Sequence, residues 1–80
     1  MNDMETIVVK KTARNSATAF SINGKRIALV HTDSSNEGRY VANFGIYANG
    51  NNMTYTEAIN YVSDNISRVL GEFGIEVTFE

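Results

Sequence analysis

Apolar and polar residues trade places along this chain with two different periods, and the change of period marks its elements. Thr6-Ile7-Val8-Val9 is a β-branched run suited to a strand, which is predicted over residues 6–11. Thr12 to Ser16 is polar and reads as a connection. Asn23-Gly24 then stands between two apolar-patterned runs. A two-residue type I′ turn needs positive φ at both central positions, which Asn-Gly tolerates best, so a hairpin is predicted here. With that turn, Ile22 pairs with Lys25, Phe20 with Ile27 and Thr18 with Leu29. Phe20, Ile22, Ile27 and Leu29 then share a core face, and Ala17, Ala19, Ser21, Arg26, Ala28 and Val30 the other. That second face, small apart from its arginine, is the first surface the sequence marks for binding.

His31 to Gly38 is dense in turn formers and reads as a loop. From Arg39 to Ala48 alternation returns, with Tyr40, Ala42, Phe44, Ile46 and Ala48 on one side and Val41, Asn43, Gly45 and Tyr47 on the other. This predicts a fourth strand, ended by Asn49-Gly50-Asn51-Asn52. Thr54-Tyr55-Thr56-Glu57 matches a capping box. Behind it, Tyr55, Ala58, Ile59, Val62, Ile66, Val69, Leu70 and Phe73 recur at steps of three and four, leaving Asn60, Ser63, Asp64, Ser67, Arg68 and Gly71 outside. Gly74 can close this amphipathic helix in the left-handed conformation. Ile75, Val77 and Phe79 then alternate with Glu76, Thr78 and Glu80 as a last strand.

The predicted fold is a single small α+β domain over residues 1–80, of order β-β-β-β-α-β. A four- to five-stranded, mainly antiparallel sheet carries one amphipathic helix on one face. The last strand is placed beside the first and antiparallel to it, giving the spatial order 5-1-2-3-4.

Composition narrows what such a domain can rest on. Eighty residues allow one core, and the absence of cysteine excludes disulfide staples and thiolate metal sites. Four Phe and four Tyr within an apolar fraction of 42% can fill that core without them. The absence of proline removes one common protection of sheet edges, which leaves homodimerisation through an edge strand open. Met1-Asn2-Asp3-Met4-Glu5 has no apolar run behind a basic cluster, and no stretch approaches the roughly 20 apolar residues of a membrane span. A cytoplasmic location without membrane attachment is expected.

The net charge of −2 conceals a segregation. From Thr6 to Val30 the chain carries Lys10, Lys11, Arg14, Lys25 and Arg26 and no acid. From Tyr40 onward it carries Glu57, Asp64, Glu72, Glu76 and Glu80 against Arg68 alone. These residues read most simply as solvated faces, yet separated charge also makes fields that steer partners.

Catalytic chemistry finds little support. His31 is the one histidine, and with Asp33 and Glu37 it lacks a ligand spacing, so a solvated loop is the simpler reading. Ser34-Ser35 is not set in a nucleophile elbow, and the glycines at 45, 50, 71 and 74 match neither a phosphate loop nor a dinucleotide fingerprint. Asn52-Met53-Thr54 and Asn65-Ile66-Ser67 are formal glycosylation sequons without a leader to give them meaning. No catalytic residue, cofactor or metal is predicted, and the chain is expected to be no enzyme.

Two binding classes remain. A protein-binding module would occupy a partner's surface, with the acids Asp64, Glu72, Glu76 and Glu80 competing with phosphate on a nucleic-acid-binding complex, or with the basic hairpin meeting an acidic partner. Small, acidic, cysteine-free α+β chains of this style are common among phage and mobile-element proteins that antagonise host defence, anti-CRISPR proteins included, although no motif carries the likeness. The alternative is a nucleic-acid-binding protein that uses Lys10, Lys11, Arg14, Lys25, Arg26 and Arg39 on phosphates and Tyr40, Tyr47 or Phe44 for stacking. Against it stand a pI of about 5.3 and a Gly38-Arg39-Tyr40-Val41-Ala42-Asn43-Phe44 segment that departs from the RNA-recognition sheet signature.

Overall fold

A computed structural model describes residues 5–80 of the chain. It contains β1 (Glu5–Arg14), β2 (Ala17–Ile22), β3 (Lys25–Thr32), β4 (Tyr40–Phe44), β5 (Ala48–Met53), α1 (Tyr55–Gly71) and β6 (Ile75–Phe79). The six strands form one sheet in the order β5-β4-β3-β2-β1-β6. Both sheet edges, β5 and β6, pack against the same helix, so the sheet curls around α1. The α+β class and the one helix on a mainly antiparallel sheet are as predicted; among the described residues the strand count is six.

The additional strand comes from a turn that the alternation hides. Phe44 pairs with Ala48 across Gly45-Ile46-Tyr47, with Gly45 at φ +54° and the Tyr47 amide donating to the Phe44 carbonyl at 2.9 Å. Because the turn has three residues, Phe44 and Ala48 both stay buried and even-numbered positions still look like one face. On the opposite face Asn43 donates to Asn49 at 2.7 Å, and Asn49 donates to the Gly45 carbonyl at 3.0 Å, which staples the reversal.

One more reversal changes the direction of everything after it. With five strands before the helix, β5 runs the same way as β1, α1 returns, and β6 enters alongside β1. The last strand does lie beside the first, but the pairing is parallel, from Glu5↔Ile75 to Val9↔Phe79, and the predicted antiparallel orientation is corrected. β1 is long enough to serve two neighbours, pairing residues 5–9 with β6 and residues 10–14 with β2. Its second half includes Thr12–Arg14, predicted as a connection, because Asn15 adopts φ +56° and so compresses the turn to two residues.

The Asn23-Gly24 hairpin forms as expected, with φ of +52° and +81° and Ile22 opposite Lys25. Beyond Ser21↔Arg26 the register jumps to Phe20↔Ala28, so Ile27 is the extra residue of a β-bulge. The bulge reverses the predicted faces of β3. Ala28 and Val30 are buried with Thr18 and Phe20, while Leu29 lies opposite Ala19 on the outer face. A slip of one residue exchanges the two sides of a strand, which is why the predicted Phe20/Ile27 and Thr18/Leu29 pairs are replaced.

Val9, Phe20, Val30, Val62 and Ile66 are the largest fully buried side chains, and the Phe20 ring meets Phe79 edge to face at 6.4 Å. The helix contributes Ala58, Val62, Ile66 and Val69 from its apolar stripe. Thr54 Oγ1 accepts from the Glu57 amide at 3.1 Å and Glu57 Oε1 from the Thr54 amide at 2.9 Å, completing the capping box. Thr54→Ala removes one half of that exchange at an exposed position. A loss of about 1 kcal/mol in urea unfolding is expected.

Candidate functional site

Three loops and ends converge at one end of the molecule. Ile22 closes β2, Ile27 is the bulged residue of β3, Phe44 and Gly45 begin the β4–β5 turn, and Val69 and Leu70 end the apolar stripe of α1. Together with Tyr47 and Phe73 they line a groove of about 330 Å³ that contains no charged side chain. Phe73 lies past the end of the helix. Its amide donates to the Leu70 carbonyl and the Gly74 amide to that of Gly71, and Gly74 at φ +77° turns the chain toward β6. Phe73 is thereby left 73% exposed. Ile46, at the tip of the β4–β5 turn, is 93% exposed, and Tyr47 is 54% exposed with its ring tilted against Phe44 at 5.1 Å.

Three of the five large exposed hydrophobics among the described residues therefore gather at this end. Single exposed apolar residues are ordinary, whereas exposed Tyr47 and Phe73 beside an uncharged groove make this end the candidate surface. The sequence pattern groups Ile46 with Phe44 and Ala48 on one side of a single strand and Phe73 with the apolar stripe of the helix. The available sequence signal was the Asn43/Gly45/Asn49 set that makes the turn, and the position of Phe73 immediately before the terminating Gly74.

The outer face of the sheet, away from α1, carries Lys10, Arg14 and Arg26. Register places Lys10, Ser21 and Arg26 in one row across β1, β2 and β3, and Arg14, Ala17 and His31 in another. Between them runs Thr12, Ala19 and Leu29. A shallow trough of about 650 Å³ lies here, with Arg14, Arg26 and His31 on its rim and Ala17 and Ala19 in its floor. The face expected to bind thus keeps Ala17, Ala19, Ser21 and Arg26, and it exchanges Ala28 and Val30 for Leu29 and His31.

The remaining predicted site residues are dispersed. Lys11 shares the inner side of β1 with Val9 and lines a separate cavity beside Tyr55 and Thr56 at the helix start. Lys25 flanks the hairpin turn, and Arg39 is half-buried before β4, where its carbonyl accepts from the Asp33 amide. None of the proposed stacking aromatics lines the basic trough. Phe44 is buried, Tyr40 packs on Tyr55 at 5.3 Å, and Tyr47 belongs to the apolar groove. Of the acids, Asp64 and Glu72 are exposed on and after the helix, with Glu72 paired to Arg68 at 3.6 Å. Glu76 and Glu80 alternate with the inward Ile75, Val77 and Phe79, so they lie on the other side of the molecule from Asp64.

His31 sits on β3, with Nδ1 donating to the Thr32 carbonyl at 2.9 Å, and among the described residues no three His, Cys, Asp or Glu groups come close enough to hold a metal. Asp33 Oδ1 accepts from Ser35 Oγ at 2.8 Å and from the Ser35 amide at 3.0 Å. These donors hold its carboxyl below the usual carboxylate value. A pKa lowered by folding makes a contribution that is present above the unfolded value of about 3.9 and is lost as pH falls through the folded one. An NMR titration of Asp33 should show a midpoint below about 3.9, and Ser35→Ala should raise it.

Among the described residues no helix is long and apolar enough to cross a membrane. Comparison with protein-family models, with curated proteins and with solved structures found no significant match to this chain.

Proposed function

We propose that this domain is a non-enzymatic protein-binding module that acts by occupying a partner's surface through its apolar end. The observation that carries this proposal is the exposure of Tyr47 and Phe73, which line an uncharged groove, with Ile46 exposed in the adjoining turn. Exposed aromatic and aliphatic anchors beside a recess favour a protein partner that supplies an apolar side chain, since such contacts dominate protein interfaces. An 80-residue domain with such a surface can act by covering what it binds. Blocking a partner, in the manner of phage-borne antagonists of host defence, is the simplest consequence. A nucleic-acid role is second: Lys10, Arg14 and Arg26 do share a face, but no Phe or Tyr lines the trough beside them.

The test compares tagged wild type with Ile46→Ser/Phe73→Ser on lysate of its native or host cell, with and without nuclease. A protein retained by the wild type and lost by the variant supports the proposal. Equal retention by both, or retention that disappears on nuclease treatment, contradicts it. Self-association of the wild type alone, read by sizing chromatography, would assign the groove to a second copy of the chain.

A further inference from the structure

We infer that the contact surface continues from the apolar end across β3 onto the basic trough, and that the partner is therefore an acidic protein surface built around an apolar anchor. This rests on the protein-binding role proposed above and adds the partner's chemistry to it.

Continuity is the first observation. A third cavity of about 390 Å³ lies on the outer face of β3 and β4. It shares Ile27 and Gly45 with the apolar groove, and Arg26, Leu29 and His31 with the basic trough. The three recesses thus form one path, and no acidic side chain lines any of them.

Charge is the second. Lys10, Arg14 and Arg26 stand at three corners of a frame whose sides follow from the register, with the polar His31 side chain at the fourth. Two strand spacings across give about 10 Å, and four residues along β1 give about 13 Å. Among the described residues none of Lys10, Arg14 and Arg26 forms an ion pair, so their donors face outward without an internal partner. The frame ends at β6, where backbone bonds of Glu80 to Val9 and Lys11 set Glu80 beside Lys10.

The floor decides between protein and nucleic acid. Ala17, Ala19 and Leu29 are half-buried and offer no ring for a base to stack on. A nucleic acid would find phosphate contacts here and rings at His31, Tyr47 and Phe73, but it would leave the aliphatic Ile22, Ile27, Val69 and Leu70 of the adjoining groove without an apolar partner. A protein can cover both, with carboxylates on the arginines and an apolar side chain in the groove.

The test selects a displayed library of random 12-residue peptides on the full chain and on two variants, Arg14→Glu/Arg26→Glu and Ile46→Ser/Phe73→Ser. Both arginines are exposed, so the charge reversal should leave thermal unfolding nearly unchanged. The wild type should enrich peptides that combine a bulky apolar residue with two or more Asp or Glu. Those peptides, labelled and measured by fluorescence polarisation, should bind the arginine variant at least ~10-fold more weakly, and that variant should itself enrich apolar peptides without the acids. Wild-type selection that yields no acidic sequence, or peptides that bind the arginine variant equally well, would overturn the inference and leave the apolar docking intact. Acidic peptides that need the arginines but bind Ile46→Ser/Phe73→Ser unchanged would instead overturn the apolar docking. Binding of a fluorescein-labelled random 20-nucleotide DNA that is lost only in the arginine variant would assign the frame to nucleic acid and overturn the inference.

Discussion

Phe20→Ala should remove about 3–5 kcal/mol of stability, the largest effect expected of any single substitution in this chain. Phe20 is fully buried, its ring meets Phe79 at 6.4 Å, and it sits among Val9, Val30, Val62 and Ile66. It joins the hairpin, the last strand and the helix, so truncation leaves a cavity that no single element can close. A domain of this length has a total stability on the order of 4–12 kcal/mol, with no disulfide in reserve. Urea unfolding followed by circular dichroism should show a midpoint reduced by a quarter or more. A midpoint close to wild type would mean that Phe20 does not hold these layers together.

Ile46→Ser/Phe73→Ser should have the opposite profile, a large loss of binding on an unchanged fold. The two side chains are 93% and 73% exposed, so serine at either position gives up little burial and unfolding should shift by no more than about 0.5 kcal/mol. Interface anchors of this kind cost about 2 kcal/mol or more when truncated, which is about 30-fold in affinity for one and more for both, short of strict additivity. Titration calorimetry with the protein captured by the wild type, beside a thermal melt of each form, separates the two effects. Weakened binding accompanied by a lowered melting temperature would point to unfolding rather than lost contact.

Most of the fold was legible because its signals are local. Asn23-Gly24 requires positive φ, Thr54 and Glu57 can satisfy each other's orphan amides, and the three- and four-residue apolar steps behind them admit one helix. The errors arose where a local pattern carries no record of its context. A three-residue turn at Gly45 preserves the parity of Phe44 and Ala48, so the alternation continues through a reversal of the chain. That hidden reversal in turn set the wrong direction for β6. The bulge at Ile27 depends on strand pairing, and nothing in the residues near it announces which face of β3 will be buried.

The candidate site was less legible for the same reason. Its residues come from β2, β3, the β4–β5 turn and the end of α1, and only the curl of the sheet brings them together. The basic set was partly legible, since alternation alone puts Lys10 and Arg14 on one side of β1. Arg26 joins them because Ser21↔Arg26 precedes the bulge. Lys11, Lys25 and Arg39 depart from the set, and the acids split between the helix and the outer face of β6.

The deciding measurement is an amide chemical-shift map of the isotope-labelled domain titrated with the protein it captures. Perturbations should concentrate at Ile22, Ile27, Phe44 to Tyr47 and Val69 to Phe73, and continue along β3 if the contact reaches the arginines. A map confined to Asp64 and the exposed side of α1, with the groove residues unmoved, would contradict binding through the apolar end.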